Sequence, residues 1–507
     1  MIDQVKALSR PLAVANAVSG RLVASDEVKA KRVVLTADRS VLGSANGRWA
    51  LLDSLRLLLR VTGNLTLLLP AGSDELEREM KSIAASASLV CKVEFLRAPD
   101  EEALHDADAI LNVGFSARPE LPWTCISSNG WVVRADSTGM ALTHEASHPN
   151  PIGALGAASI GVAEIFKRLF GIPDEVAPLQ DKCEFSLFEL SRRFDSPGPQ
   201  LPRALHLPNT LIGGGGAIAN GVGLLLSQLP LLGRVHIVDK QAYGDENFGT
   251  CVLLEEKGWI GEDKAPRFAE WLKQNSALEA TGERALINAA LSGEEVRALA
   301  PELIINGFDD VAARHDVQLA WPGLLLDGGI SDIGFAVVQH RPDERGLACL
   351  RCTFESAKVD HRLEQRGWTG LTLESLGSID RLLTDDDIAR ADPEKRAWLE
   401  DQRRLKKNVC SIINEARLAV LGVNVEEGFR PSVPFVATAS AVLVVAEMIK
   451  ALMFPQRAYP QTFTVGNVFL GFDSAAALTR AAAPRCECVT HRSMIESLKA
   501  RRAARKN

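Results

Sequence analysis

The sequence predicts an α/β chain made of two parallel-sheet units, and three observations predict it. Apolar runs of strand length alternate with helix-period stretches over the first two hundred residues, and again from Ala204 to about Phe354. A Pro/Gly segment, Phe194-Asp-Ser-Pro-Gly-Pro-Gln-Leu-Pro-Arg203, divides the two. The second unit opens on Leu211-Ile-Gly-Gly-Gly-Gly-Ala-Ile-Ala-Asn220, a glycine turn starting a helix, and continues to Arg234-Val-His-Ile-Val-Asp239, an apolar strand ending in an acid. At such a turn bare backbone N–H groups face phosphate and the acid accepts ribose hydroxyls.

Taken in order, the first unit has strands at Arg32-Val-Val-Leu-Thr36, Asn64 to Pro70, Lys92 to Leu96 and Ala109 to Gly114, with helical spacing at Arg48–Arg60 and Asp74–Ala85. It has no glycine loop. Pro151–Phe170 is small and apolar, which suits a closely packed helix. Residues 356–430 change character: charge rises (Asp385-Asp386-Asp387, Arg403-Arg404-Leu-Lys406-Lys407), and a helical insertion with a solvated surface is expected. Ser432–Met453 reads as a buried helix, and Gln461–Val465 and Asn467–Leu470 as late strands. The boundaries that result are 1–200, 201–355, 356–430 and 431–507.

Composition narrows the classes. At 507 residues, with 46% hydrophobic and 24% charged residues, the chain is of globular type and needs more than one domain. A net charge of −7 argues against nucleic acid as the main partner. No apolar run reaches the ~18–20 residues of a membrane span, and the N-terminus lacks the basic start and apolar core of a signal peptide. Nine cysteines, an odd number spread over a long chain, do not form a disulfide framework. A reduced, cytoplasmic protein is expected.

The glycine turn alone fits a dehydrogenase-type dinucleotide site, but the third glycine of that pattern falls at Ile218. The residues downstream of the turn suit adenylate transfer better: Asp239, Asn247, Gly261-Glu-Asp-Lys264 and Ile304-Ile-Asn-Gly-Phe-Asp309-Asp310-Val-Ala-Ala-Arg314. An acid for ribose, an amide beside the phosphates, a lysine for triphosphate charge and a strand-end aspartate for Mg²⁺ are the groups that this chemistry needs. Each has a plainer reading: Asn247 as a turn residue, Lys264 as a surface charge, Asp309 as a helix N-cap. His236 reads as core and His315 as helix surface.

These residues resemble the E1-like adenylating superfamily, shared by ubiquitin-activating enzymes and the bacterial thiamine and molybdopterin sulfur-carrier activators. Its pattern is G-x-G-G, an acid, an asparagine, G-x-x-K, then D-[ND]-x-x-x-R. Gly213, Gly215, Gly216, Asp239, Asn247, Lys264, Asp309 and Arg314 fall on it in order. The resemblance covers 204–355 strongly and 431–490 moderately. It implies a degenerate first adenylation-type domain of Rossmann-like fold beside an active second one, a helical catalytic-cysteine insertion and a zinc-tied C-terminal segment. One departure is serious: Arg-Gln of the family is Thr250-Cys251 here. The family's paired domain can donate an arginine instead, and Arg10, Arg21 and Arg48 are unranked candidates.

Cys349-Leu-Arg-Cys352 and Cys486-Glu-Cys488 are two thiol pairs that can close a tetrahedral zinc site, with His491 an alternative ligand. Cys410 occupies a place similar to the family's acceptor cysteine, and Lys406 and Lys407 would favour its thiolate. Its plainer reading is a helical core residue beside Val409, Ile412 and Ile413. Cys91, Cys125 and Cys183 read as core, and Cys251 as a weaker nucleophile. The implied function uses ATP, Mg²⁺ and Zn²⁺ to adenylate the C-terminal glycine of a ubiquitin-like protein. A thioester on Cys410 and transfer to an E2-type carrier come next, as in bacterial antiphage conjugation operons, and a homodimer is allowed. The alternatives are a sulfur-carrier adenylyltransferase of cofactor synthesis and a non-catalytic scaffold.

Overall fold

The computed structural model describes residues 4–504 apart from 20, 22, 88–89, 144–146, 255–257, 331–333, 341–345, 355–361, 378–380, 410–411, 414–415, 417–431 and 456–461. After helix α1 (Gln4–Ser19), the first half runs β1 (Arg32–Ala37), α2 (Ala45–Leu58), β2 (Asn64–Leu69), α3 (Asp74–Ala87), β3 (Lys92–Arg97), β4 (Ala109–Val113), β5 (Trp123–Asn129), β6 (Val132–Asp136), α4 (Pro151–Phe170) and β7 (Cys183–Ser186). Its sheet has the order β3-β2-β1-β4-β5-β6-β7, parallel as far as β5 and antiparallel beyond. Strands β4, β5 and β6 are buried along their whole length, although β5 and β6 carry polar residues.

The second half repeats the plan. It comprises β8 (Leu205–His206), β9 (Thr210–Gly213), α5 (Ala217–Gln228), β10 (Leu231–Asp239), α6 (Lys264–Asn275), β11 (Leu278–Arg284), β12 (Leu303–Asn306), α7 (Val311–Gln318), β13 (Leu324–Ile330), β14 (Gly334–His340), α8 (Leu350–Thr353), α9 (Pro434–Met453), β15 (Phe463–Asn467), β16 (Ala476–Leu478) and α10 (Arg492–Ala504). The order β11-β10-β9-β12-β13-β14-β15-β16 matches the first sheet strand for strand through β15, including the switch to antiparallel pairing at β14.

The repeat extends to side chains. Helices α4 and α9 each span 20 residues, begin on proline and carry Glu-x-x-Lys at the same offset. They pack on each other, with Ser159 Oγ and Thr438 Oγ1 2.8 Å apart and Phe166 against Phe435 at 5.3 Å between centroids. Each buried lysine pairs with its own glutamate and reaches across. Lys167 Nζ donates to Phe469 O at 2.8 Å and Lys450 Nζ to Leu187 O and Phe188 O, both at 3.3 Å. The halves therefore meet as a pseudo-two-fold pair, and one apolar core runs through both.

Two expectations are corrected. By length and composition Pro434–Met453 could cross a membrane, so an apolar run of that length does exist; here residues 434–450 are buried among α4, α5, β13 and β14. Asn467–Leu470 is not a strand: β15 ends at Asn467, whose side chain accepts from Phe469 N and starts a 3₁₀ turn. The insertion holds the helices Arg362–Thr369, Asp385–Arg390 and Arg396–Arg404 around a core of its own (Leu371, Leu376, Leu383, Ile388, Leu399, Val409, Ile412). Arg381 clamps Asp387 there at 2.6 and 2.7 Å and holds that carboxyl well below its usual range. Cys410 lies outside the described residues.

Candidate active site

The glycine turn stands where strand order reverses, between β9 and β12, at the carboxyl end of the sheet. Gly214 holds φ +93, a conformation that favours glycine. Gly216 precedes α5 and offers no side-chain cap, which leaves the first N–H groups of the helix open to an anion. Gly215 lies against Lys264: a Cβ there would come within 2.9 Å of the Lys264 Cβ.

Of the predicted residues, Asp239 and Lys264 contact this turn directly. Asp239, at the end of β10, accepts from Gly215 N at 2.7 Å and from Gln241 N at 2.8 Å. Lys264 is buried and is no surface charge: Nζ donates to Gln241 Oε1 at 2.8 Å and lies 5.8 Å from the Tyr243 ring centre. Asn247 is buried and accepts from Gly244 N at 3.0 Å. Asp309 is exposed just beyond β12, and it is Asp310 that caps α7, accepting from Ala313 N at 2.8 Å. His315 is corrected from surface to buried, with Nε2 against Phe354 O.

Sequence reasoning missed several neighbours. Asn220 Nδ2 donates to Gly215 O (3.1 Å) and Gly216 O (2.9 Å), and the Tyr243 hydroxyl donates to Gly215 O at 2.9 Å. Burial drives the Tyr243 phenol well above its ordinary value. On the other side of the turn Asn306 bonds Asp327, which is fully buried. Burial pushes the Asp327 carboxyl up to about 6, against Arg314 and the Asn306 bond. An amide and a phenol on separate elements give no spacing signal. Asp327, an acid within Leu-Leu-Leu-Asp-Gly-Gly, could have been suspected, since an acid in a buried strand is rarely idle.

The first half reaches into this site. Helix α1 packs on the Asp245–Asn247 turn, and a Cβ on Gly249 would meet Ala7 O at 2.5 Å. Among the three arginines, Arg10 is on that helix, close enough to act on the Cys251 thiol, which burial raises. Arg21 pairs with Glu27 at 2.6 Å and Arg48 with Glu79 at 3.4 Å, both at exposed positions away from the turn. Arg60 is fully buried: it donates to Cys251 O (3.2 Å) and Leu254 O (2.8 Å) and covers the Phe248 ring at 4.9 Å, so it fastens the segment after Asn247.

The matching place in the first half is filled. Gly114-Phe-Ser116 there stands where Gly307-Phe-Asp309 does in the second half. Asp38, after β1, accepts from Phe115 N (2.6 Å), Ser116 N (2.9 Å) and Ser116 Oγ (2.6 Å). The Asp38 carboxylate occupies these donors, and the cavity beside Gly114 and Phe115 is about 10 Å³, short of room for a nucleotide. A larger cavity of about 520 Å³ lies over Arg32, Asn64, Lys92 and Glu94 on the outer face of β1–β3, far from either turn.

The four cysteines converge. Cys349 Sγ is 3.8 Å from Cys352 Sγ and 3.6 Å from Cys486 Sγ, and Cys352 Sγ is 3.5 Å from Cys488 Sγ. Zinc–sulfur bonds of about 2.3 Å in a regular tetrahedron place sulfurs about 3.8 Å apart, so the set fits Zn²⁺. His491 is outside this group. Cys91, Cys125 and Cys183 are buried core thiols, as is Cys251.

No family model matches the chain. An uncharacterized protein of Sinorhizobium fredii, y4jF, is 27% identical over 349 residues, 66% of this chain and 63% of that protein, so the chain spans less than two thirds of this relative's length. Among solved structures, E. coli MccB with succinimide is similar at 12% identity and TM-score 0.36, over 56% of this chain and 67% of that one. E. coli MccB with ATP is similar at 14% identity and TM-score 0.36, with the same coverage. Likeness at that level carries no functional conclusion.

Proposed function

We propose that the chain is an ATP-dependent E1-like activating enzyme whose second half adenylates the C-terminal glycine of a ubiquitin-like protein. The observation that supports this most is the convergence of Gly215, Asp239 and Lys264 on one uncapped helix N-terminus, with α1 of the other half packed on the Asp245–Asn247 turn that follows Asp239. Phosphate oxygens would take the N–H groups at the start of α5. Asp239 would turn its remaining lone pairs to the ribose, and Lys264 would swing from Gln241 to the triphosphate. Asp309 would hold Mg²⁺, which supplies charge neutralisation on the phosphates. Arg10 takes the place of the cation that Thr250-Cys251 lacks.

In the reaction the carrier's terminal carboxylate oxygen attacks the α-phosphorus. The α–β phosphoanhydride breaks, pyrophosphate leaves and an acyl adenylate remains. The Cys410 thiolate would then attack the acyl carbon, expel AMP and form the thioester that passes to an E2-type carrier. The four-cysteine site would hold Zn²⁺ and tie α10 and the C-terminal segment to α8. The first half, with Asp38 in its anion pocket, would bind no nucleotide, and the fused pair would replace a homodimer.

The test is ATP–pyrophosphate exchange by the purified chain with candidate ubiquitin-like proteins, and then non-reducing gels. Carrier-dependent exchange with an adduct lost in Cys410→Ala supports the full reading, and a fall of about 10²-fold or more in Arg10→Ala supports the donated cation. Exchange without an adduct supports adenylation alone, as in sulfur-carrier activation. Absence of exchange with carriers shown to bind the chain would overturn the enzyme reading in favour of a scaffold.

A further inference from the structure

The cysteine cluster and the Asp309 turn are joined by helix α7. Its last residues lead to Trp321, which shares a buried cluster with Cys349 and Ile495, against which Cys352, Cys486 and Cys488 pack. Gln318 is fully buried, and its Oε1 accepts from Leu350 N at 2.8 Å, at the head of the cysteine-bearing α8. His315 meets Phe354 O, and the Arg314 guanidinium lies 4.3 Å from the Phe354 ring centre. At the other end Arg314 Nε donates to Phe308 O at 2.9 Å and stands 3.3 Å from Asp327 Oδ1. Every link is buried or half-buried.

We propose that Arg314 is a positioning residue that couples the metal held by the four cysteines to the Gly307–Asp310 turn. The pull of Asp327 and the platform of Phe354 fix the guanidinium on two sides, and the guanidinium then fixes the Phe308 carbonyl one residue before Asp309. Gly307 N donates to Gly213 O at 2.8 Å and holds the near side of the turn, while Arg314 holds the far side. Losing the metal frees α8, then α7, and loosens the turn that would orient Mg²⁺. The cluster would thus tune the triphosphate side of the site as well as tie down the C-terminal segment. This rests on the adenylation reading for its functional meaning, though the mechanical coupling can be measured without it.

The experiment uses the full chain as wild type, metal-stripped wild type, Phe354→Leu and Gln318→Met, both variants lying outside the nucleotide-contacting set. Bound zinc is counted, amide hydrogen exchange is measured in peptides covering 305–314 and 211–220, and the Mg²⁺ dependence of pyrophosphate exchange is recorded where activity exists. Phe354→Leu is expected to keep its zinc, to lose protection in 305–314 by about tenfold with 211–220 unchanged, and to need several-fold more Mg²⁺. Metal stripping should loosen 305–314 more strongly and raise the Mg²⁺ requirement further. Unchanged protection at 305–314 after stripping would overturn the coupling, as would equal loosening of both peptides. Coupling seen in a chain without exchange activity would leave this inference standing and remove the adenylation reading.

Discussion

Replacing Lys167 by Met tests whether the two halves are held by their crossed lysines. Glu164 is wholly buried, and its carboxyl is raised by that burial against the pull of Lys167. Lys167 Nζ also donates to Pro178 O at 2.7 Å and to Phe469 O at 2.8 Å, the second in the other half. The variant leaves an uncompensated acid, and breaking such a buried pair costs about 3–5 kcal/mol. If the 507 residues unfold as a unit, an entropy of about 2.1 cal/mol/K per residue makes about 1.1 kcal/mol/K, so the midpoint falls by about 3–5 °C. Adding Glu164→Gln removes the stranded charge and should recover most of the loss. A Glu164 carboxyl raised above its unfolded value binds its proton more readily when folded. Its cost is therefore smallest at low pH and grows as pH rises through the folded value, so the defect of the single variant should shrink from pH 8 to pH 5. Calorimetry at both pH values, with hydrogen exchange at 464–470 to show where the structure opens, gives the answer. A single-variant loss under about 1 kcal/mol, or a double variant as damaged as the sum of its parts, would refute the reasoning.

Asp53 is pushed up to about 7 by burial, against its bond from Gln228. It is protonated when folded below that pH, so stability contributed by this group is lost as pH rises; between pH 6 and 8 the loss is about 1.4 kcal/mol. Urea midpoints should show that slope in wild type and a flatter one in Asp53→Asn. Gly214→Ala forces a side chain to φ +93 at a cost of about 1–3 kcal/mol and should abolish ATP binding by titration calorimetry, whereas Gly43→Ala, where a Cβ meets nothing within 4 Å, should leave both stability and binding unchanged. Arg60→Met strands two carbonyls around Cys251 and should weaken ATP binding at least tenfold with the fold retained by circular dichroism.

Much of the fold is legible because periodicity reports burial. Parallel strands covered on both faces read as continuous apolar runs, so Arg32–Ala37 and Asn64–Leu69 stand out, and so do the small-residue helices at 151–170 and 434–453. Strands β5, β6 and β7 do not. They are short, and Trp123-Thr-Cys-Ile-Ser-Ser-Asn mixes polar and apolar residues whose burial comes from α4 laid across them. Asn467–Leu470 reads as a strand because its apolar residues pack on α4 and α9 from a 3₁₀ turn, a distinction that four residues cannot carry. At the site, the main-chain chemistry of the glycine turn and the acid at its fixed spacing are legible. The Asn220–Tyr243 and Asn306–Asp327 supports are not, since they join residues on different elements that only the folded sheet brings together.

The two halves share one plan, and the difference between them lies in a few side chains at equivalent places. Gly214 stands where Asp38 does and Asp309 where Ser116 does: in the first half the Asp38 carboxylate takes the Phe115 and Ser116 N–H groups, while in the second the start of α5 has no side-chain cap. The crossed lysines, the paired helices α4 and α9 and the shared core hold both halves in one arrangement. A half fixed in place in this way can lose its own pocket and still lend α1 and Arg60 to its neighbour. On the adenylation reading the asymmetry would be functional: the second half would hold the nucleotide, and the N-terminal half would form part of that site's wall.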